Sequence, residues 1–209
     1  MNVILFGATG NIGRLVTDEL LKAGHKVTAF ARTPENLKVQ DYSLRYHKGN
    51  VLEPKDVFEA VDGHDAVVIA LGAGMSRKST VRSQGTLNIV NAMQAKGIRR
   101  LVCQSTLGAH ESWSNLDFWW KYVMFGALLK PVFKDHELQE TIVRASGLDW
   151  TIVRPSAFSN EPATGHFKKG FSPAKRNLSL KIPSADVANF LCSQTSDAAY
   201  IGRAVAISN

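Results

Sequence analysis

Asn2-Val3-Ile4-Leu5-Phe6-Gly7-Ala8-Thr9-Gly10-Asn11-Ile12-Gly13 is the stretch whose reading decides the fold. Its first residues are mostly apolar, too few for a helix, and they stop at a glycine, which reads as a buried strand ending in a turn. Beyond the turn, Ile12, Leu15, Val16, Leu20 and Leu21 recur at three- and four-residue steps toward Gly24, the spacing of an amphipathic helix. A strand, a glycine turn and a helix make the context in which Gly-x-x-Gly-x-x-Gly reads as a dinucleotide fingerprint. Gly7 permits the tight turn, Gly10 lets backbone approach a pyrophosphate, and Gly13 lets the helix lie close on the strand. The pyrophosphate then sits on free N–H groups at the positive end of the helix. Gly7, Thr9, Gly10, Asn11, Ile12 and Gly13 are the first candidate cofactor contacts. The plainer reading is a glycine-rich turn that binds nothing; the strand and helix on either side favour the cofactor.

Outward from this stretch, strands and helices alternate. Lys26 to Ala31 reads as a second strand, ending at Arg32-Thr33-Pro34. An NAD enzyme carries a carboxylate near this point for the ribose 2′-hydroxyl. Here Arg32 stands instead, with Thr33 beside it, and a guanidinium suits a 2′-phosphate. NADPH is therefore the cofactor expected. Leu44 to His47 is a short third strand, followed by Gly49-Asn50-Val51 and a helix from Pro54 to Val61. Asp65 to Ala70 is a fourth, stopped at Leu71-Gly72-Ala73-Gly74. A long helix spans Arg77 to Lys96, a fifth strand runs from Arg100 to Gln104 and ends at Ser105, and a sixth, Trp150 to Val153, ends at Arg154-Pro155. A helix from Ser184 to Cys192 and a strand from Ala204 to Ile207 close the chain. This alternation predicts an α/β fold, a doubly wound Rossmann-type parallel sheet with helices on both faces. Ligands collect at the carboxyl ends of such strands, where Arg32, Asn50, Val51, Leu71, Gly72, Ser105 and Pro155 all fall.

Composition narrows the function classes. The chain has 209 residues, 44% of them hydrophobic, and no linker or repeat interrupts it, so residues 1–209 are expected to form one domain. A net charge of +7 suits an anionic partner, which a phosphate-bearing ligand supplies, and no nucleic-acid motif is present. Cys103 and Cys192 are too far apart for a metal-like spacing, and reduced thiols in a cytoplasmic protein are expected. The longest apolar region, Leu116 to Phe133, is interrupted by Asp117, Lys121 and Lys130, so no membrane partner is expected. No residue pattern calls for more than a monomer.

Between Glu111 and Lys134 the aromatics Trp113, Phe118, Trp119, Trp120, Tyr122, Phe125 and Phe133 crowd together. An amphipathic helix packed on the core and a wall for a planar substrate are equally open readings. Beyond Glu161, Lys168, Lys169, Lys175, Arg176 and Lys181 read as a solvated loop, or as an attractor for an anionic substrate.

These residues resemble the atypical short-chain dehydrogenase/reductases, the NAD(P)-binding group that includes the NmrA-like proteins. Within it the likeness is greatest to the NADPH-dependent flavin and biliverdin-IXβ reductases. Its carriers are Phe6 to Gly10, Val27 to Arg32, Gly49 to Leu52, Asp65 to Gly72, Gly85 to Val90, Ser105, Asp135-His136 and Ser146 to Leu148. The resemblance implies NADPH on the glycine-rich loop and its 2′-phosphate on Arg32. It places Asn50-Val51, where the family has Asp-Val, beside the adenine, and it puts Ser105 at the nicotinamide as the candidate catalytic residue. The loop after Gly72 and the segment around Trp119-Trp120 depart from the reductases, so the substrate does not carry over.

The larger short-chain family protonates a carbonyl oxygen with Tyr-x-x-x-Lys. Tyr42, Tyr46, Tyr122 and Tyr200 are each followed, four residues on, by something other than lysine. Hydride transfer to a flavin or a linear tetrapyrrole asks less, because the charge spreads over the conjugated acceptor and solvent supplies the proton. The expectation is an NADPH-dependent reductase of such a small-molecule acceptor, with the acceptor region formed by 106–135 and 155–183. A dinucleotide sensor or assembly factor, as among the NmrA-like proteins, is the competing expectation. His136 and His166 are proton-donor candidates by residue type only.

Overall fold

The structure, a computed structural model, describes residues 1–74, 79–175 and 178–209. Its frame is an eight-stranded sheet. In chain order the strands are β1 (Asn2–Phe6), β2 (Lys26–Ala31), β3 (Leu44–Lys48), β4 (Ala66–Ile69), β5 (Arg100–Gln104), β6 (Asp149–Pro155), β7 (Ala157–Ser159), β8 (Lys168–Lys169), β9 (Lys181–Pro183) and β10 (Arg203–Ser208). The helices are α1 (Asn11–Lys22), α2 (Pro54–Val61), α3 (Val81–Lys96), α4 (Lys130–Ala145) and α5 (Ser184–Ser193). The sheet order is β3-β2-β1-β4-β5-β6-β10-β8, and β7 pairs with β9 in a small separate sheet. The order reverses direction between β1 and β4, which opens a crevice at their carboxyl ends.

Period-two alternation divides each buried strand between two cores. Val3 and Leu5 of β1, with Ala66 and Val68 of β4, face Val16 and Leu20 of α1 and Val187 and Leu191 of α5. Ile4, Phe6, Val67 and Ile69 face the other way, onto Val57 of α2, Ile89 and Met93 of α3 and Val143 of α4. Continuous apolar strands are what a parallel sheet covered on both faces requires. A third, smaller cluster at the carboxyl edge joins Leu107, Leu116, Phe125, Phe133, Leu180 and Ala206.

Two sequence expectations change, and a third falls outside the described residues. Lys168 and Lys169 are not loop: they form β8, antiparallel to β10 at the sheet's rim. Their exposed lysines suit an edge strand, whose charge discourages pairing with another chain. The aromatic region is not one helix. A 3₁₀ turn (His110–Asn115), a π helix (Trp119–Leu128) and α4 succeed one another. At the end of the π helix the Leu129 N–H donates to the Met124 carbonyl at 2.7 Å, the i to i−5 bond of that helix. The described part of α3 begins at Val81; its expected start, Arg77, lies outside the described residues.

Candidate functional site

At Gly10 the chain enters α1 with extended backbone and no side-chain cap. The first N–H groups of a helix have no intrahelical partner, so the helix presents free donors and the positive end of its dipole to the cleft. Close approach explains the glycines on either side. Gly7 has φ +89°, and a Cβ there would stand 2.4 Å from the Ala70 carbonyl oxygen. A Cβ on Gly13 would lie 2.1 Å from the Gly7 carbonyl oxygen, so Gly13 lets α1 lie on β1. Arg14 ties the turn to its neighbour: Nε donates to the Thr9 carbonyl at 3.1 Å and Nη1 to the Asn36 carbonyl at 2.8 Å.

A cleft of about 870 Å³ runs along the carboxyl edge from this turn. Gly7, Thr9, Gly10, Asn11, Ile12, Arg32, Asn50, Val51, Leu71, Gly72, Ser105 and Pro155 all line it. Gly13 and Thr33 do not. Gly13 is used in packing, and the Thr33 hydroxyl accepts a hydrogen bond from Asn36 Nδ2 at 3.1 Å in the turn after β2. Arg32 is exposed, and its guanidinium bonds to no described residue. Asn50 is held in a turn, with Oδ1 accepting from the Leu52 N–H at 3.2 Å and its own N–H donating to Asp56 at 2.8 Å. One Oδ1 lone pair is thus committed, and Nδ2 is the group left to a ligand. Asn88 Nδ2 donates to the Val51 carbonyl at 2.9 Å and fixes that loop.

Ser105 continues β5 by donating its N–H to the Val153 carbonyl at 2.7 Å, while Leu107 donates to the Pro155 carbonyl at 2.8 Å. Beyond Ser105 the cleft turns apolar: Leu116, Trp120, Phe125, Leu129 and Val132 line it. Trp120 and Phe125 contact ring to ring, 5.5 Å between centroids. The two adjacent tryptophans separate here. Trp120 faces the cleft, whereas Trp119 is 58% exposed beside Phe118 and Tyr122. Trp113 packs on Phe133 at 5.3 Å, away from the described lining.

Buried polar atoms without hydrogen-bond partners gather on this cleft. They are Arg82 Nε and Nη1, Gln104 Oε1, Ser105 Oγ, His136 Nδ1 and Ser156 Oγ. A native fold seldom leaves such groups unsatisfied except where a ligand or ordered water meets them. Burial, reinforced by the Arg82 charge, pushes the His136 imidazole down to about 3. His136 is therefore neutral near pH 7 and is no ready proton donor. His166 is exposed and lies outside the lining. Among the described lining residues there is no aspartate, glutamate, tyrosine or lysine, and the only charges are Arg32 and Arg82. Arg82 was not picked out from the sequence, and His136 was named there only as a proton-donor candidate by residue type, not as a lining residue. The available signal was polar residues on one face of α4: Asp135, His136, Gln139 and Glu140 are all buried.

An ion cluster lies next to the lining residue Pro155. Buried Arg154 at the end of β6 bonds Glu140 of α4 at 2.6 Å and Glu111 of the 3₁₀ turn at 2.8 Å, and Arg144 bonds Glu111 at 3.1 Å. Burial alone would raise the Glu111 carboxyl; its bonds to Arg154 and the nearby charges more than offset that and hold it at about 2. The cluster joins α4, β6 and the turn into one frame.

The glycine cradle, the uncapped helix end and the cleft at the switch point fit a dinucleotide. A family model described as NAD(P)H-binding matches residues 7–198, and the chain belongs to that NAD(P)H-binding family. The atypical short-chain dehydrogenase/reductase likeness fits this membership. Among its relatives, an uncharacterized sugar epimerase of Bacillus subtilis (strain 168) is 31% identical over 178 residues, 79% of this chain and 76% of the relative. Two solved structures superpose over the whole chain. A short-chain dehydrogenase/reductase of Veillonella parvula in complex with NADP has a TM-score of 0.83, 18% identity and 94% coverage. An anaerobillin reductase of Escherichia coli O157:H7 has a TM-score of 0.82, 19% identity and 97% coverage. At those identities the two structures establish the fold.

Proposed function

We propose that the protein is an NADPH-dependent reductase that transfers hydride to a planar conjugated acceptor, a flavin or a biliverdin-like tetrapyrrole. The observation that carries this reading is the two-part cleft. A dinucleotide cradle continues, past Ser105, into an apolar compartment walled by Trp120 and Phe125, with no lysine, tyrosine or carboxylate among its described residues. Such a lining orients and stacks an acceptor but offers no acid to protonate an isolated carbonyl, so it suits an acceptor that delocalises charge and takes its proton from solvent. The reductase structure from Escherichia coli supports the same class by analogy of fold.

In this reading α1 and the Gly7–Gly13 turn hold the pyrophosphate, and Arg32 takes the 2′-phosphate. Asn50 and Val51 flank the adenine, while Leu71, Gly72, Ser105 and Pro155 border the ribose and nicotinamide. The acceptor region is formed by 106–135 and 155–183 of a single domain acting as a monomer. The bound dihydronicotinamide supplies the hydride. Ser105 Oγ, buried and without a partner, orients the reactants, and Trp120 and Phe125 keep water from that face.

The test is steady-state oxidation of NADPH by FMN and by biliverdin, repeated with Arg32→Glu. Wild type should oxidise NADPH with both acceptors and prefer it to NADH, and the variant should lose NADPH selectively while NADH is spared. Losing a charge-assisted contact costs about 1.5–3 kcal/mol, roughly ten- to more than a hundredfold in affinity. Equal losses for NADPH and NADH would count against Arg32. A second reading, a dinucleotide-binding assembly factor, draws on Phe118, Trp119 and Tyr122, which are 74%, 58% and 60% exposed and resemble a surface for another protein. It predicts NADPH binding without turnover.

A further inference from the structure

One charge on the cleft has no work in the reading above. Arg82, in the first turn of α3, lines the cleft with a side chain only 12% exposed, and its Nε and Nη1 are buried without a hydrogen bond. Its nearest carboxylate, Asp135 of α4, is at 3.8 Å and already committed elsewhere. Asp135 Oδ2 accepts the Arg82 N–H at 3.2 Å, and Oδ1 accepts the Ser83 N–H at 3.1 Å and the Ser83 hydroxyl. Asp135 thus caps α3 and leaves the guanidinium with a balancing charge but unused donors. His136, the next residue of α4, is 8% exposed and lines the same cleft with Nδ1 unpartnered. A buried guanidinium is stable only when its donors find acceptors, and the described chain supplies none to these two nitrogens.

Topology says which end of the ligand they meet. The strand order places β2, with Arg32 after it, on one side of β1 and β4, β5 and β6 on the other. Arg82 follows β4, and His136 precedes β6. The pair therefore lies across the switch point from Arg32, toward Leu129, Val132 and the aromatic wall, while the cofactor's phosphates have their own donors at α1 and Arg32. The ligand oxygens left for Arg82 are those of the acceptor.

We propose that Arg82, with His136 beside it, anchors an anionic substituent of the acceptor, a carboxylate or a phosphate. The guanidinium offers charge-assisted bonds in a water-poor wall. The neutral imidazole adds a hydrogen-bonding nitrogen without a second positive charge. The anchor fixes how far the conjugated ring slides along Trp120 and Phe125, and so which atom faces the hydride. This rests on the reductase reading and narrows it to acidic acceptors over their neutral analogues.

Two matched pairs test it in the NADP-loaded protein: FMN against riboflavin for a phosphate, and biliverdin against its dimethyl ester for a carboxylate. Turnover and tryptophan quenching are both recorded. Wild type should favour the anionic member of at least one pair by about ten- to a hundredfold, the worth of a charge-assisted bond, and the favoured pair names the group. Arg82→Gln should raise KM for that member by the same factor and leave its neutral partner and NADPH affinity little changed. The Asp135 cap uses the Arg82 backbone N–H, which glutamine keeps. Arg82→Lys, retaining charge without the fork, should keep part of the preference, and a wild type without any preference overturns the proposal whether or not either variant folds. Equal handling of both members in both pairs overturns the proposal, as does a parallel loss of NADPH affinity in Arg82→Gln, which would assign Arg82 to the cofactor. Binding that discriminates without any turnover would sink the reductase reading while leaving the anion anchor standing.

Discussion

Gly13→Ala is the sharpest probe of the cradle, because the structure states what the new methyl group meets. An added Cβ would sit 2.1 Å from the Gly7 carbonyl oxygen and 2.9 Å from the Ala8 Cα and carbonyl carbon. All three are backbone atoms, so no side chain can swing aside. Restoring ordinary contact requires the start of α1 to lift by about 1 Å, enough to cost on the order of a hundredfold where ligand geometry matters. Overpacking of this kind also costs about 1–3 kcal/mol of stability, which leaves a protein of ordinary stability folded. Gly24→Ala is the control. Gly24 has φ +78° with nothing within 4 Å of its added Cβ, so it carries backbone strain of about 1–2 kcal/mol but no displacement of the cradle. Urea unfolding without ligand and an NADPH titration separate the two. Gly13→Ala should lose stability and NADPH affinity; Gly24→Ala should lose stability alone. Wild-type NADPH affinity in a folded Gly13→Ala protein would refute the claim that α1 must lie on β1 to present its N–H groups.

Other expectations concern the cleft's walls. Glu140→Gln removes the fully buried partner of Arg154 and should cost about 3–5 kcal/mol in urea unfolding, whereas replacing both with Leu and Met should recover much of it; equal losses would contradict the pairing. Because burial and Arg82 hold the His136 imidazole at about 3, below its ordinary 6.5, its contribution to stability is complete above pH 6.5 and is lost as pH falls toward 3. His136→Gln should therefore flatten the stability–pH curve in that window, where wild type loses up to about 1.4 kcal/mol per pH unit; parallel curves would contradict it. Ser105→Ala should slow acceptor reduction only modestly, and a loss beyond about 10⁴-fold in kcat would exceed general acid catalysis and make the serine more than an orienting group. Trp120→Ala should raise KM for the acceptor at unchanged NADPH affinity, while Trp119→Ala should not; the reverse order would move the pocket wall to the exposed face.

What the sequence reveals follows the range of the forces involved. The turn from Gly7 to Gly13, β1, β2, α2 and β5 were legible because glycine geometry and apolar periodicity are local. The carboxyl ends of the strands pointed to most of the lining, since topology alone sends them to one edge. The aromatic region was not divisible by eye: Trp119 and Trp120 look alike in sequence, and only the π helix and the ring contact with Phe125 separate cleft from surface. Arg82 and His136 are ordinary polar residues until α3 and α4 pack, when Asp135 caps one helix from the other and strands both donors inside the wall. Lys168 and Lys169 read as loop because a two-residue edge strand has no period to show. Gly13 carried its packing role openly; that it stays behind the cleft's surface follows only from how α1 lies on the Gly7–Ala8 backbone.

The central claim is that a cofactor held in this cleft passes hydride to a conjugated acceptor stacked on Trp120 and Phe125. Following isotope from NADPH deuterated at the transferring C4 position into reduced biliverdin tests it most directly, since a flavin exchanges its label with water. The account predicts deuterium at one carbon of the product, in proportion to NADPH consumed and abolished by heat-denaturing the protein. NADPH bound at full occupancy, with no label appearing in any tetrapyrrole and no flavin reduced, would contradict it.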